Sequence, residues 1–519
     1  MDQVNRDDFS DNPRRPLMQP ASATGTFGDD CHRSSFPDSG VENFDKGAVS
    51  RALAFLGLGI SITFGVVCLA GGYYASSHAR HHPDPDPSTY QFGWTMDDHS
   101  MEREYIGLAL NILVTICTEA IGFVHSVSLR TTLVEEKRLH FATNLRLLTA
   151  ARGNFGNGTI MNMIMAFLLV TSYASSSMII PQSTWNEKAQ QPTTQTALAI
   201  WPIPLIILGV VLLLQSIIAI AGILAIPNGI HTWSRSQLDL TAAAIHHRVI
   251  YHRPGNCLRS VCDQHRPDGS PPIHPASHQP SPWNSHPRVQ KVIWFIWVLW
   301  PAYFISGAVI IQLTRPAPSF KGLSWSFPPS PHTSYTYSWY PTTSNSTGGV
   351  IVAFIMVIIA QSPLTMVLHG CEIITSIVRD EKAWQQASSS GALMSSSPVT
   401  IAKDYWTFGL AFESSGIIVV VRPEQFFYLA IFMAIFTCII FLLAYHSPKS
   451  LQPAAYGHLE TLADLIDFWP ARDGKMFWGD KSIMMGIPYN EVGHADTPQI
   501  RGTRATKVGL ILKYMVYLF

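Results

Sequence analysis

Long uninterrupted apolar runs set the pattern of this chain. Seven of them qualify by length: Ala52–Tyr74, Tyr105–Val127, Ile160–Ile180, Ile203–Ile226, Val292–Leu313, Val350–His369 and Phe426–His446. A helix needs ~20 apolar residues to cross the hydrocarbon core of a bilayer. Only helices and closed barrels can cross, because lipid offers backbone groups no partner. These runs are continuous rather than alternating, which excludes a barrel. The pattern therefore predicts an all-α polytopic transmembrane bundle over 49–446. An eighth, partial span at Trp406–Val421 is short and carries Glu413.

The intervening segments are polar. Residues 1–48 read as a disordered cytosolic tail with no apolar signal-peptide core, so the first run would serve as an uncleaved anchor. Loop 232–288 is rich in Pro, Ser and His and also reads as disordered. Thr131–Ala151 reads as an interfacial helix. In the tail 447–519, residues 457–469 predict an amphipathic helix. Leu459, Leu462, Ile466 and Trp469 lie on one face, with Glu460, Asp464 and Asp467 opposite, and Pro470 ends it. That helix docks on its own bundle, the bilayer surface or a protein partner.

Charge supplies orientation. Arg130, Lys137, Arg138, Arg146 and Arg152 share one loop; Arg235, Arg248, Arg253, Arg259, Arg266, Arg288 and Lys291 share another; Arg379, Lys382, Lys403 and Arg422 a third. The alternate loops hold only Arg80, Arg103, Lys188, Arg315 and Lys321. The basic loops and the N-terminus are thus expected in the cytosol, in a protein of the secretory pathway or plasma membrane. Seven crossings leave the tail outside, whereas a hairpin of Trp406–Val421 with Phe426–His446 returns it to the cytosol. Asn345, in the sequon Asn-Ser-Thr, falls on the outer side as a glycosylation candidate; Asn157 falls on the inner side.

Composition narrows the function classes. Charged residues are 13% of 519 and mean hydropathy is +0.16, unlike a soluble enzyme or a disordered chain. Lys+Arg and Asp+Glu are 35 each, so no basic field recruits nucleic acid. Seven cysteines do not form a disulfide framework. No Walker, zincin, nucleophile-elbow or dinucleotide signature is present, so neither catalytic residues nor a cofactor are expected. Cys257, Cys262 and His265 make a weak zinc set at best, because the C-x4-C spacing is loose.

Polar groups inside the spans are the remaining candidates. Asn111, Thr115, Thr118, Glu119, Gly122 and Ser126 form one stripe on the second span. A central carboxylate costs ~3 kcal/mol to insert, against roughly −5 kcal/mol from the eleven Leu, Ile, Val and Phe of that span. Glu119 must therefore face the bundle interior, either on a polar path or as a packing group. The sixth span adds Gln361, then Pro363, expected to kink and break the helix, then His369 and Glu372 at i, i+3. Gly57, Ser61 and Gly65 form a small-xxx-small stripe suited to close packing within the chain. The Trp294, Trp297 and Trp300 trio suits lipid-facing or interfacial packing.

Several strings together resemble a family of uncharacterised fungal multi-pass membrane proteins. They are Ser128–Arg130, Glu136–Leu147, Leu368–Glu372, Arg379-Asp380-Glu381 with Trp384, Gln452–Asp467 and Phe477–Lys481. The resemblance covers most of 50–500 and implies a membrane protein without specifying an activity. Ser388–Ser397 departs from it by standing where the family has a fuller apolar segment, which favours a shortened eighth span and a cytosolic tail. The apolar ending Lys507–Phe519 departs as well. Two functions remain: a small-solute or ion transporter or channel using the Asn111–Thr115–Glu119 stripe with Gln361, His369 and Glu372, or a sensor or scaffold binding partners through its cytosolic loops and tail helix. A membrane-embedded enzyme is the remaining class.

Overall fold

The computed structural model describes residues 44–79, 92–94, 100–142, 149–180, 184–186, 191–193, 198–253, 256–263, 276, 278–313, 337–339, 347–388, 390–393, 414–415, 418–421, 423–466, 469, 475–480 and 492–495. The seven apolar runs are the seven long helices, each continued beyond its run or close to its bounds. They are α1 (Ala48–Ala79), α2 (Ser100–Glu135), α3 (Thr159–Met178), α4 (Pro202–Leu224), α7 (Pro287–Leu313), α8 (Thr347–Gln385) and α9 (Pro423–Tyr445). Between them lie α5 (Gln237–His246) and α6 (Pro282–Ser285), and α10 (Leu459–Leu465) follows. Among the described residues seven helices are long and apolar enough to cross a membrane, so the chain is an integral multi-pass membrane protein.

Small residues decide the packing of α1. A Cβ on Gly209 of α4 would lie 2.6 Å from the Gly65 carbonyl oxygen of α1 and 2.9 Å from the Leu69 nitrogen. Gly72 meets Ile206 and Pro202 in the same way, so α1 and α4 run antiparallel with touching backbones. Gly57 lies against Ala120 of α2, and Ser61 donates to the Cys117 carbonyl at 3.2 Å. The Gly57–Ser61–Gly65 stripe thus packs within the chain, as its spacing predicts. Helices α1–α4 close around Val114, Cys117, Ile121, Leu208 and Leu212, all fully buried.

Helices α7–α9 form a second group, in which α8 and α9 both run antiparallel to α7 and so parallel to each other. Phe427 packs on Phe304 and Gly307, while Phe441 packs on Trp297. Gly370 of α8 rests on Ile296 of α7. The two groups join where Ala174, Met178 and Trp201 meet Phe354, Val357 and Ile358.

Helix α8 corrects an expectation. It continues through Pro363 as a single α-helix of 39 residues. At 1.5 Å per residue that is about 58 Å, well beyond a ~30 Å hydrocarbon core, so its C-terminal part projects past the membrane. Of the helix expected at Thr131–Ala151, the described residues show only the end of α2; residues 143–148 lie outside them. α2 runs on to Glu135, and Lys137 at φ 54° ends the turn.

The faces can be counted. α8 ends among the basic segments, and Phe427 places the start of α9 at the far end of α7, so the chain changes face once more between them. Ala392–Leu393 pairs with Lys475–Met476 on the basic face. Ile418–Val421 pairs with Tyr337–Trp339, from the loop between α7 and α8. The tail after α9 therefore shares the basic face with the end of α8; residues 394–413 lie outside the described residues. The bounds of the eighth span need correction, however. The described part of Trp406–Val421 is strand at Ser414–Ser415 and Ile418–Val421, where β-branched residues favour extended backbone. Residues 406–413 lie outside the described residues.

The touching backbones give a direct check. Gly209→Val would push a branched side chain into the α1 backbone, which cannot yield as a side chain does. It should destabilise the full-length protein by at least about 1–3 kcal/mol, read as a lower melting temperature in detergent. Gly59→Ala, with open space around the added carbon, should leave it unchanged.

Candidate functional site

The most highly built polar site lies on the basic face, outside the spans, where α8 meets the tail. Glu381 sits one turn from the end of α8 and is only 4% exposed. Its Oε2 accepts the N–H groups of Ala455 at 2.9 Å and Tyr456 at 2.7 Å. Its Oε1 accepts from Gln385 Nε2. Successive N–H groups aimed at one anion form a nest, which compensates the loss of hydration on burial. The backbone adopts that shape through Tyr456 at φ 48° and Gly457 at φ 72°, both left-handed. Glycine is needed at 457: a Cβ there would lie 3.2 Å from Asp380 Oδ2 and 3.3 Å from Gln237 Oε1.

The rest of the tail is fastened residue by residue. Trp384 Nε1 donates to the Pro453 carbonyl at 2.8 Å, and Gln452 Nε2 returns a bond to the Trp384 carbonyl at 2.9 Å. Ala454 donates to Gln279 Oε1 at 3.0 Å, and its carbonyl accepts from Val261 N–H at 2.9 Å. The Tyr456 hydroxyl donates to the Pro280 carbonyl at 2.7 Å; burial pushes its phenol pKa up. Leu459 N–H donates to the His140 carbonyl, and Ala142 N–H to that of Gly457.

α10 then lays Leu462 and Leu465 on Leu238 and Ala242 of the α5 region, in one core with Trp384 and Trp469. Two expectations need correction here. The helix spans only Leu459–Leu465, with Ile466 extended, and its apolar face is buried on its own chain. Asp464 is buried, not on a solvated face: Arg253 Nη2 reaches its Oδ2 at 2.7 Å, and that bond raises the guanidinium pKa. Asp467 lies outside the described residues. Loop 232–288, expected to be disordered, supplies α5, α6 and much of this cap. Asp239, fully buried, accepts Asp45 N–H at 3.0 Å and the Ser234 hydroxyl at 2.6 Å. The N-terminal segment is thereby fixed from Phe44 onward.

The intramembrane candidates lie on two helices, α2 and α8, that both pack on α3. Asn111, Thr115 and Glu119 are partly buried on α2, which packs on α1, α3 and α4. Thr115 donates back to the Asn111 carbonyl at 2.8 Å, and Thr118 pairs with Tyr173 Oη at 3.2 Å. Gln361 is on α8, which packs on α3, α7 and α9, and its Nε2 reaches Ser177 Oγ at 3.4 Å. His369 Nδ1 pairs with exposed Glu372 at 3.3 Å. Asn157 is buried: its Oδ1 accepts from Ser128 at 2.9 Å and its Nδ2 donates to Thr132 at 3.1 Å. Asn345 and His265 lie outside the described residues. Cys262 donates its thiol to the Asn284 carbonyl at 3.0 Å, His252 pairs with the Ala463 carbonyl, and among the described residues no three His, Cys, Asp or Glu side chains are grouped to hold a metal.

A stacked imidazole pair lies beside the cap. His231 and His247 have ring centroids 3.9 Å apart, with Glu135 Oε1 3.8 Å from His231 Nε2 and His246 edge-on to His247. Burial, then the neighbouring His247, pushes the His231 pKa down from 6.5 to about 4. Glu381 did not emerge as a site from periodicity, although the Arg379–Glu381 and Gln452–Asp467 strings that carry the family resemblance meet at it. Comparison of the chain with protein-family models, curated proteins and solved structures returns no match.

Two outcomes follow from this geometry. Glu381→Ala leaves two buried N–H groups without an acceptor and should cost about 2–5 kcal/mol. Glu381→Gln should cost much less, because Gln385 can rotate its amide and offer Oε1, which has no partner now. Thermal unfolding of the two variants checks this. For His231 the unfolded chain binds the extra proton, so cap stability should be full above pH 6.5 and fall as pH drops toward 4. Limited proteolysis across that window should show the loss, and His231→Gln should flatten it.

Proposed function

We propose that this protein is a membrane-anchored scaffold or sensor, with its basic face in the cytosol, whose cap is mechanically tied to transmembrane helix α8. The observation that carries the reading is the Glu381 grip on Ala455 and Tyr456. It joins one continuous rod that runs from the opposite face through the bilayer to a folded surface built from the N-terminal segment, three basic segments and the tail. A shift of α8 would move that surface as a unit. The distribution of Lys and Arg supports the cytosolic placement. The convergence of the resemblance strings at this joint supports reading the chain as a member of the fungal family it resembles.

Transport is a second reading, supported by amides in the spans. Gln215 Nε2 on α4 and Gln361 Oε1 on α8 are buried without a hydrogen-bond partner among the described residues, and buried polar groups within spans mark polar routes. Reconstitution separates the two. The scaffold reading expects solute and ion flux in proteoliposomes equal to that of empty vesicles, with slow hydrogen exchange at 452–462 in wild type and Glu119→Gln alike. Flux above background that Glu119→Gln abolishes would overturn it.

A further inference from the structure

Helix α7 enters the membrane at the basic face, and its exposed side is continuous. Lys291, Trp294, Phe295, Val298 and Ile305 follow one another along it, and Trp294 is 61% exposed. Such a stripe faces acyl chains. Its first turn differs from the rest: Arg288 and Lys291 are both exposed and carry positive charge just above Trp294.

Beside this turn the helices leave an aromatic wall. Trp283 of α6 stands edge-on to Trp294, with ring centroids 6.2 Å apart, and edge-on to Phe441 of α9 at 5.8 Å. Phe441 in turn stacks on Tyr445 at 5.8 Å, and Tyr445 is 63% exposed. Aromatic rings with one apolar and one wet side settle at the headgroup level. Trp294 lies seven residues into α7, about 10 Å along its axis. At that depth the neighbour of an exposed indole is lipid rather than a soluble protein.

We propose that this turn of α7, with Trp283 and the end of α9, is a binding site for an anionic phospholipid. The acyl chains and glycerol region lie on the Trp294–Trp283–Phe441–Tyr445 wall. The phosphate and any further negative headgroup charge meet Lys291 and Arg288. Charge complementarity selects the lipid class, since a zwitterionic headgroup brings its own cation to two bases already there. Anionic lipid is also enriched in cytosolic leaflets, which matches the side expected from the basic loops.

The test uses the full chain in vesicles of phosphatidylcholine alone or mixed with phosphatidylglycerol, with bromine on the acyl chains of one lipid at a time. The difference in quenching between wild type and Trp294→Phe isolates the Trp294 signal. Each base near an anionic surface contributes severalfold, so brominated phosphatidylglycerol should be preferred at Trp294 on the order of tenfold. Arg288→Glu with Lys291→Glu should abolish the preference, and Arg288→Lys with Lys291→Arg should keep it. Where the double reversal does not fold, Lys291→Gln alone should lower the preference by severalfold. Equal quenching by the two lipids in wild type, or a preference that survives loss of charge, would overturn the site.

Discussion

A single buried carboxyl group organises the basic face of this protein. The Glu381 carboxylate has left water and receives in exchange the N–H groups of Ala455 and Tyr456 and the amide of Gln385. A buried carboxylate without such donors would be strongly unfavourable. The tail therefore has little freedom once Glu381 is in place. Its backbone must take the left-handed turn at Tyr456–Gly457, and that turn delivers α10 to α5. The bonds to His140, Val261, Gln279 and Pro280 then close the cap around the same stretch of chain.

Because Glu381 belongs to α8, this local chemistry has long-range consequences. Toward one end the rod packs on Ala174, Met178 and Trp201, its middle packs on α7, and its other end carries the cap. α1 and α4 are fixed to each other by backbone contact at Gly65, Gly72 and Gly209, which leaves little room for sliding. α7–α9 meet through larger aromatic side chains, which can repack. The asymmetry places any movement in the second group, where it is directly joined to the cap.

The membrane-spanning part was legible because hydropathy is a local property. Each span is its own evidence, and the Gly57–Ser61–Gly65 spacing was enough to foresee close packing. The cap was illegible for the opposite reason. Pro- and His-rich loop 232–288 has no periodicity, yet Gln279 and Val261 are ordered by backbone groups of Ala454 far along the chain. Helical periodicity placed Asp464 on a wet face, whereas the structure buries it against Arg253, 211 positions away. The polar groups of the spans are divided between two helices, Glu119 on α2 and Gln361 on α8, and both helices pack on α3, a relation that hydropathy along the chain does not contain. At Ile418–Val421 hydropathy was read as span, where β-branching in fact yields strand.

Side-specific labelling tests the central claim, that the grip of Glu381 holds the tail on the same face as the basic loops. Single cysteines replacing Leu451 in the tail and Arg248 beyond α5, in a background lacking the native thiols, would be exposed to a membrane-impermeant maleimide in sealed, oriented vesicles. Both positions are exposed in the structure. The account predicts that both react from the same side and that both are silent from the other. Reaction of Leu451→Cys and Arg248→Cys from opposite sides would contradict it.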